Sequence, residues 1–140
     1  MRFWDSSALV PLLLEEPETT RLRQLGAADP HLALWWGSPV ECASAIARAE
    51  RSGVLSSPVA RDVERRAASL WDAAHHVEPT EDVRVAALRV LRLHPLRAAD
   101  ALQLAAALAW CRGRTSGAPF VCLDDRLREA ASREGFLVEP

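Results

Sequence analysis

A chain of 140 residues, 49% of them hydrophobic, has the length and apolar content of one domain, residues 1–140, with its own core. Its longest unbroken apolar run, Leu104 to Cys111, falls far short of the ~20 residues that cross a bilayer, and no signal-peptide layout opens the chain. A soluble, cytoplasmic protein with no membrane partner is expected. The formal charge of -2 is the balance of 19 acids and 17 bases, and all 17 bases are Arg, so chemistry that depends on lysine is excluded.

In chain order, Arg2 to Trp4 reads as a short strand and Ser6 to Leu14 as a helix that carries Pro11. Pro17 to Leu25 predicts a second short helix ending at Gly26, and His31 to Trp36 a buried strand. Ser38-Pro39-Val40-Glu41 opens a helix to Arg51 with a capping hydroxyl, Pro at the first position and an acid three residues on. Ser57-Pro58 repeats that opening and predicts a helix to about His75. Thr80 caps another helix, closed by Pro95, and Leu96 to Arg112 predicts one that is apolar almost all round. Pro119 to Leu123 is a strand, Asp125 to Glu134 a helix, and Phe136 to Val138 a last strand. Helices alternating with strands predict an α/β fold, a mainly parallel sheet of four or five strands flanked by helices.

Cys42, Cys111 and Cys122 are odd in number and lack paired spacing, so they read as small core residues in a reducing compartment, not as a disulfide frame or zinc site. His31, His75, His76 and His94 read as surface or boundary residues, and the five Trp chiefly as core.

The stretch FWDSSALV sets Asp5 between a strand and a helix, and FVCLDDRL sets Asp124 and Asp125 in the same position. Glu41 occupies the first turn of the helix after Trp35-Trp36. In LRAADALQLAAALAW, Asp100 is the only acid, and Arg97 and Gln103 lie three residues to either side of it. Each acid has an ordinary explanation: a helix cap for Asp5 and for Asp124 or Asp125, a capping box for Glu41, an ion pair with Arg97 for Asp100. Their convergence does not, because four carboxylates at one edge of a parallel sheet repel unless a cation sits among them. Oxygen donors without His select a hard divalent ion, Mg2+ or Mn2+.

The segments DSSALVPLLLEEP, SPVECASAIARAERSG, LRAADALQLAAALA and FVCLDDRLREAASREG together resemble the PIN-domain family, and within it the VapC-type toxins of bacterial toxin-antitoxin pairs. The resemblance covers essentially the whole chain. It implies a metal-dependent endoribonuclease, a usual homodimer and a small cognate antitoxin. The family's acids map onto Asp5, Glu41, Asp100 and Asp124, with Ser6 matching the small polar residue after the first acid and Asp125 in an auxiliary position. Cys122 stands where the family commonly has Thr or Ser.

In chemical terms, Asp5, Asp100 and Asp124 would hold Mg2+ or Mn2+, and Glu41 would orient or deprotonate the attacking water. Arg48, Arg51, Arg61, Arg65, Arg66, Arg84, Arg89 and Arg92 are candidates for RNA phosphate contacts, and Trp36 for base stacking. A receiver domain needs the absent lysine, and a haloacid-dehalogenase-type phosphatase needs an acid where Ser7 stands. A flap nuclease of the same fold usually carries further substrate-gripping segments. The alternative outside enzymes is a PIN-like module that binds nucleic acid or a partner without cutting.

Overall fold

A computed structural model describes all 140 residues. Five strands form one parallel sheet: β1 (Arg2–Trp4), β2 (Leu32–Trp35), β3 (His75–Val77), β4 (Pro119–Val121) and β5 (Leu137–Glu139), in the spatial order β3-β2-β1-β4-β5. Seven helices make the connections: α1 (Ser6–Leu13), α2 (Thr19–Ala28), α3 (Ser38–Arg51), α4 (Ser57–Ala73), α5 (Glu81–Leu93), α6 (Ala98–Trp110) and α7 (Asp125–Arg133).

Successive strand side chains point to opposite faces, and here the alternation divides two cores. Phe3, Ala33, Trp35, Val77 and Phe120 face α5, α6 and α7. Trp4, Leu32, Leu34 and Val121 face α1, α2, α3 and α4. Apolar residues on both sides of each central strand are what a parallel sheet covered on both faces demands. Phe3 stacks on Phe120 across the β1–β4 pair with ring centroids 5.5 Å apart, and Phe136 continues the aromatic row at 5.5 Å from Phe120.

The strand order reverses between β1 and β4. The chain leaving β1 enters α1 on one face, and the chain leaving β4 enters α7 on the other. Divergent connections open a crevice beyond the strand ends, the usual ligand position in such sheets. Asp5 directly follows β1, and Cys122-Leu123-Asp124 directly follow β4.

Several local expectations are corrected. The segment His75–Val77 is a strand, and α4 stops at Ala73. The second helix runs through Gly26 to Ala28. Ser38 does not cap α3; Gly37 holds that position, and the Ser38 hydroxyl turns inward to Gln103, so no Ser38–Glu41 capping box forms. His94 is buried and bonded to Glu134 at 2.9 Å, which no periodicity announced. Trp36 is 53% exposed, because its neighbour Trp35 takes the core side of β2.

Candidate active site

Asp5 is 4% exposed and caps α1, its Oδ2 accepting from the Ser7 N–H at 2.9 Å and from the Ser7 hydroxyl at 2.5 Å. The Cys122 thiol donates to the same oxygen at 3.5 Å. The ordinary cap reading of Asp5 is therefore correct as far as it goes. Yet burial pushes its proton affinity up despite these donors, and no cationic side chain approaches. A buried carboxylate without a counter-charge is costly, and the fold supplies it only with neutral donors.

Ser7 binds the two strand ends together. Its hydroxyl oxygen accepts from the Leu123 N–H at 2.9 Å and the Asp124 N–H at 3.3 Å, while its proton goes to Asp5. One hydroxyl thus bridges the β1 and β4 exits, beside the backbone bond from the Asp5 N–H to the Val121 carbonyl at 2.9 Å.

Glu41, in the first turn of α3, is half-buried on the wall of the adjoining cleft. Burial raises its proton affinity, the negative charges of Asp5 and Asp100 raise it further, and hydrogen bonds from Ser6 and Gln103 oppose the rise. The charges of Asp5 and Asp100 are thus near enough to be felt at Glu41.

Asp100 occupies the first turn of α6 and is half-buried at the same cleft. Although α6 is apolar on almost every face, it does not enclose Asp100: Ala98 and Ala99 are exposed, and only the turns beyond Asp100 enter the core. No Arg97 ion pair forms either. Asp100 Oδ2 accepts from the Arg97 backbone N–H at 3.3 Å instead.

The cleft, about 490 Å³, is lined on its polar side by Ser6, Ser7, Glu41, Arg48, Arg97 and Asp100. It continues past Ser7, Val10 and Arg48 into a groove of about 660 Å³ that reaches Glu15, Glu16 and Asp124. Asp124 lies exposed at this far end, capping α7 through the Leu127 N–H at 2.9 Å, and Asp125 is exposed in the first turn of α7. Glu41 and Asp100 thus line one cleft together with Ser6 and Ser7, the two residues that follow the buried Asp5, and Asp124 borders the adjoining groove. No three His, Cys, Asp or Glu side chains stand close enough to enclose a metal ion as placed.

None of Asp5, Glu41, Asp100 and Asp124 takes part in an ion pair, and neither do Arg48 and Arg97. Of the Arg residues named for phosphate contacts, Arg65, Arg84 and Arg89 are instead paired with Asp62, Glu81 and Glu134. Two residues stand out that sequence reasoning gave no role, Ser7 and Gln103. Gln103 is 1% exposed and touches Ser6, Ser38 and Glu41. Its only sequence signal is a lone amide in an apolar helix, one turn beyond Asp100.

A family model for the PIN domain matches residues 2–132. The chain belongs to the PIN-domain family. Its relatives include Ribonuclease VapC45 of Mycobacterium tuberculosis (strain CDC 1551 / Oshkosh), 34% identical over 139 residues that cover 99% of this chain and 94% of the relative. Ribonuclease VapC49 of Mycobacterium tuberculosis (strain ATCC 25618 / H37Rv) matches with the same identity and the same coverage of both chains. The membership agrees with the five-stranded parallel sheet between two helical layers, and the VapC-type resemblance read from the four segments stands. No helix is long and apolar enough to cross a membrane.

Proposed function

We propose that this PIN-domain protein is a divalent-metal-dependent endoribonuclease toxin that hydrolyses RNA phosphodiester bonds in the cleft beyond β1 and β4. One observation carries the reading: a buried Asp5 without a cationic partner stands beside Glu41 and Asp100, which also have none, while unpaired Arg48 and Arg97 stand on the same cleft. The relatives named as ribonucleases support it.

The donor set suits Mg2+ or Mn2+. It offers hard carboxylate and hydroxyl oxygens, an unneutralised buried charge and no imidazole, and Mg2+ commonly takes one or two protein carboxylates while keeping several waters. Asp5 and Asp100 would hold the ion, and Asp124, in the adjoining groove, would reach it through water. When bound, it supplies charge stabilisation to the phosphoryl oxygens and lowers the pKa of water.

Glu41 takes a proton from the attacking water, a task favoured by the burial and neighbouring charge that raise its proton affinity. Ser6 donates to Glu41, and Ser7 keeps the Asp5 carboxylate turned toward the strand exits. Arg48 and Arg97 take the phosphates flanking the scissile bond, where planar guanidinium groups bind bidentately. Asp125, next to Asp124 in the first turn of α7, has an auxiliary role.

Residues 1–140 act as one unit in the cytoplasm, as a homodimer held in check by a small antitoxin. The exposed Val85, Leu88 and Leu93 of α5 supply apolar surface for self-association. Light scattering is expected to give twice the chain mass.

The test is cleavage of structured RNA. Activity is expected with Mn2+ or Mg2+, none is expected in chelator, and Asp5→Asn and Asp100→Asn are expected to lose at least roughly 100-fold in rate. RNA bound tightly by wild type and left uncut with either metal would refute the enzymatic reading.

A further inference from the structure

We propose that Gln103 is a positioning residue that holds the Glu41 carboxylate in its working orientation through a shared frame with Ser6 and Ser38. The inference rests on the nuclease reading of the cleft. Gln103 reaches the frame from α6, Ser6 from α1, and Ser38 and Glu41 from α3, so this one amide joins three separate crossovers.

The count of donors decides how the frame is wired. Gln103 Nε2 lies 2.6 Å from Ser6 Oγ, 3.0 Å from Ser38 Oγ and 3.2 Å from Glu41 Oε1, and an amide nitrogen has only two hydrogens for these three acceptors. Ser38 Oγ also lies 3.4 Å from the amide oxygen of Gln103. One arrangement uses every group: Ser38 donates to the amide oxygen, leaving the two N–H hydrogens for Ser6 and Glu41. Ser6, its oxygen satisfied, then has its own hydrogen free for Glu41. Turning the amide over would set its carbonyl against the carboxylate, acceptor facing acceptor. The charge on Glu41 therefore selects the orientation of Gln103, and Gln103 in turn selects the rotamer of Glu41.

An amide is the wrong residue for packing alone. Leu or Met would fill this interior position of an apolar helix without requiring polar partners. Its hydrogen bonds go instead to the residue after Asp5 and to Glu41 itself. A glutamate has three side-chain torsions and is only half-buried here, so without two fixed donors it samples positions away from the attacking water. Misplacement by about 1 Å can cost roughly 100-fold in rate.

Gln103→Met keeps the length of the side chain and removes its hydrogen bonding. The expected result is a kcat for RNA cleavage lower by roughly 10- to 100-fold, with KM and the calorimetric Mn2+ affinity within about twofold of wild type. Because the effect passes through Glu41, Gln103→Met added to Glu41→Ala should slow the residual reaction no further. Losses that multiply in the double variant would overturn the proposal, as would loss of Mn2+ uptake in parallel with rate. If wild type cuts RNA and Gln103→Met cuts it equally fast, the role of Gln103 alone fails. If wild type cuts none with Mn2+, the nuclease reading fails and takes this role with it.

Discussion

Asp5 has its carboxyl group in a nearly water-free position with only neutral donors around it, so ionising it costs the fold stability. Burial raises its folded-state pKa, which means the fold prefers the protonated form; the stability linked to this group is complete below the ordinary carboxylate range and is lost as pH rises through the raised value. Asp5→Asn, measured in chelator, is therefore expected to unfold at a temperature higher than wild type by roughly 3–6 °C at neutral pH, about 1–2 kcal/mol at this chain length. The difference should shrink as the buffer is made acidic, and a variant less stable than wild type at neutral pH would contradict the electrostatic account. The positions of Asp5, Glu41 and Asp100 were legible because each stands at a strand exit or in a first helical turn, where local sequence fixes geometry. Gln103 was not, since its partners come from positions 6, 38 and 41, and no spacing along one helix reports a contact across three connections.

Elements were legible where periodicity is strong and obscure where tertiary contact decides. The helix α6 is apolar on almost every face and was evident, whereas β3 has only His75, His76 and Val77 and exists because β2 offers it a parallel edge, with Ala33, Leu34 and Trp35 as partners. The junction of α5 and α7 was hidden for the same reason. There Glu134 accepts from Arg89 at 2.6 Å and pairs with His94 at 2.9 Å, tying the ends of two helices 40 residues or more apart in sequence. Burial pushes Glu134 up, but hydrogen bonds from Arg89 and then His94 outweigh it and hold the carboxyl below its ordinary value. The stability from this clamp is thus present above the ordinary Glu range and lost as pH falls through the lowered value. Glu134→Gln is expected to cost about 1–2 kcal/mol in urea unfolding at pH 7 and to remove that acid-side loss. At the next turn, Gly135 has φ +96° and an added Cβ would meet Thr115 Oγ1 at 2.7 Å, so Gly135→Ala should destabilise the start of β5 by roughly 1–3 kcal/mol.

For the molecule as a whole, charge distribution matters more than its sum. Setting aside Asp5, Glu41, Asp100 and Asp124 changes the formal charge from -2 to +2, so the rest of the chain is mildly basic. Arg48 and Arg97 put positive charge on the cleft itself, where a polyanion must enter. With the uncut Asp5→Asn protein as receptor, Arg48→Ala and Arg97→Ala are each expected to weaken RNA binding roughly tenfold. Each should also reduce the slope of log affinity against log salt by about 0.7, the loss of one phosphate contact on a single strand. An unchanged slope would remove these residues from the RNA path.

The claim on which the rest depends is that the cleft acids take up a divalent cation, and isothermal titration of the isolated, metal-free protein with Mn2+ measures it without RNA. Saturable uptake by wild type is predicted, absent in Asp5→Asn and in Asp100→Asn although both variants remain folded. Uptake that survives both substitutions, or none in wild type, would contradict the account.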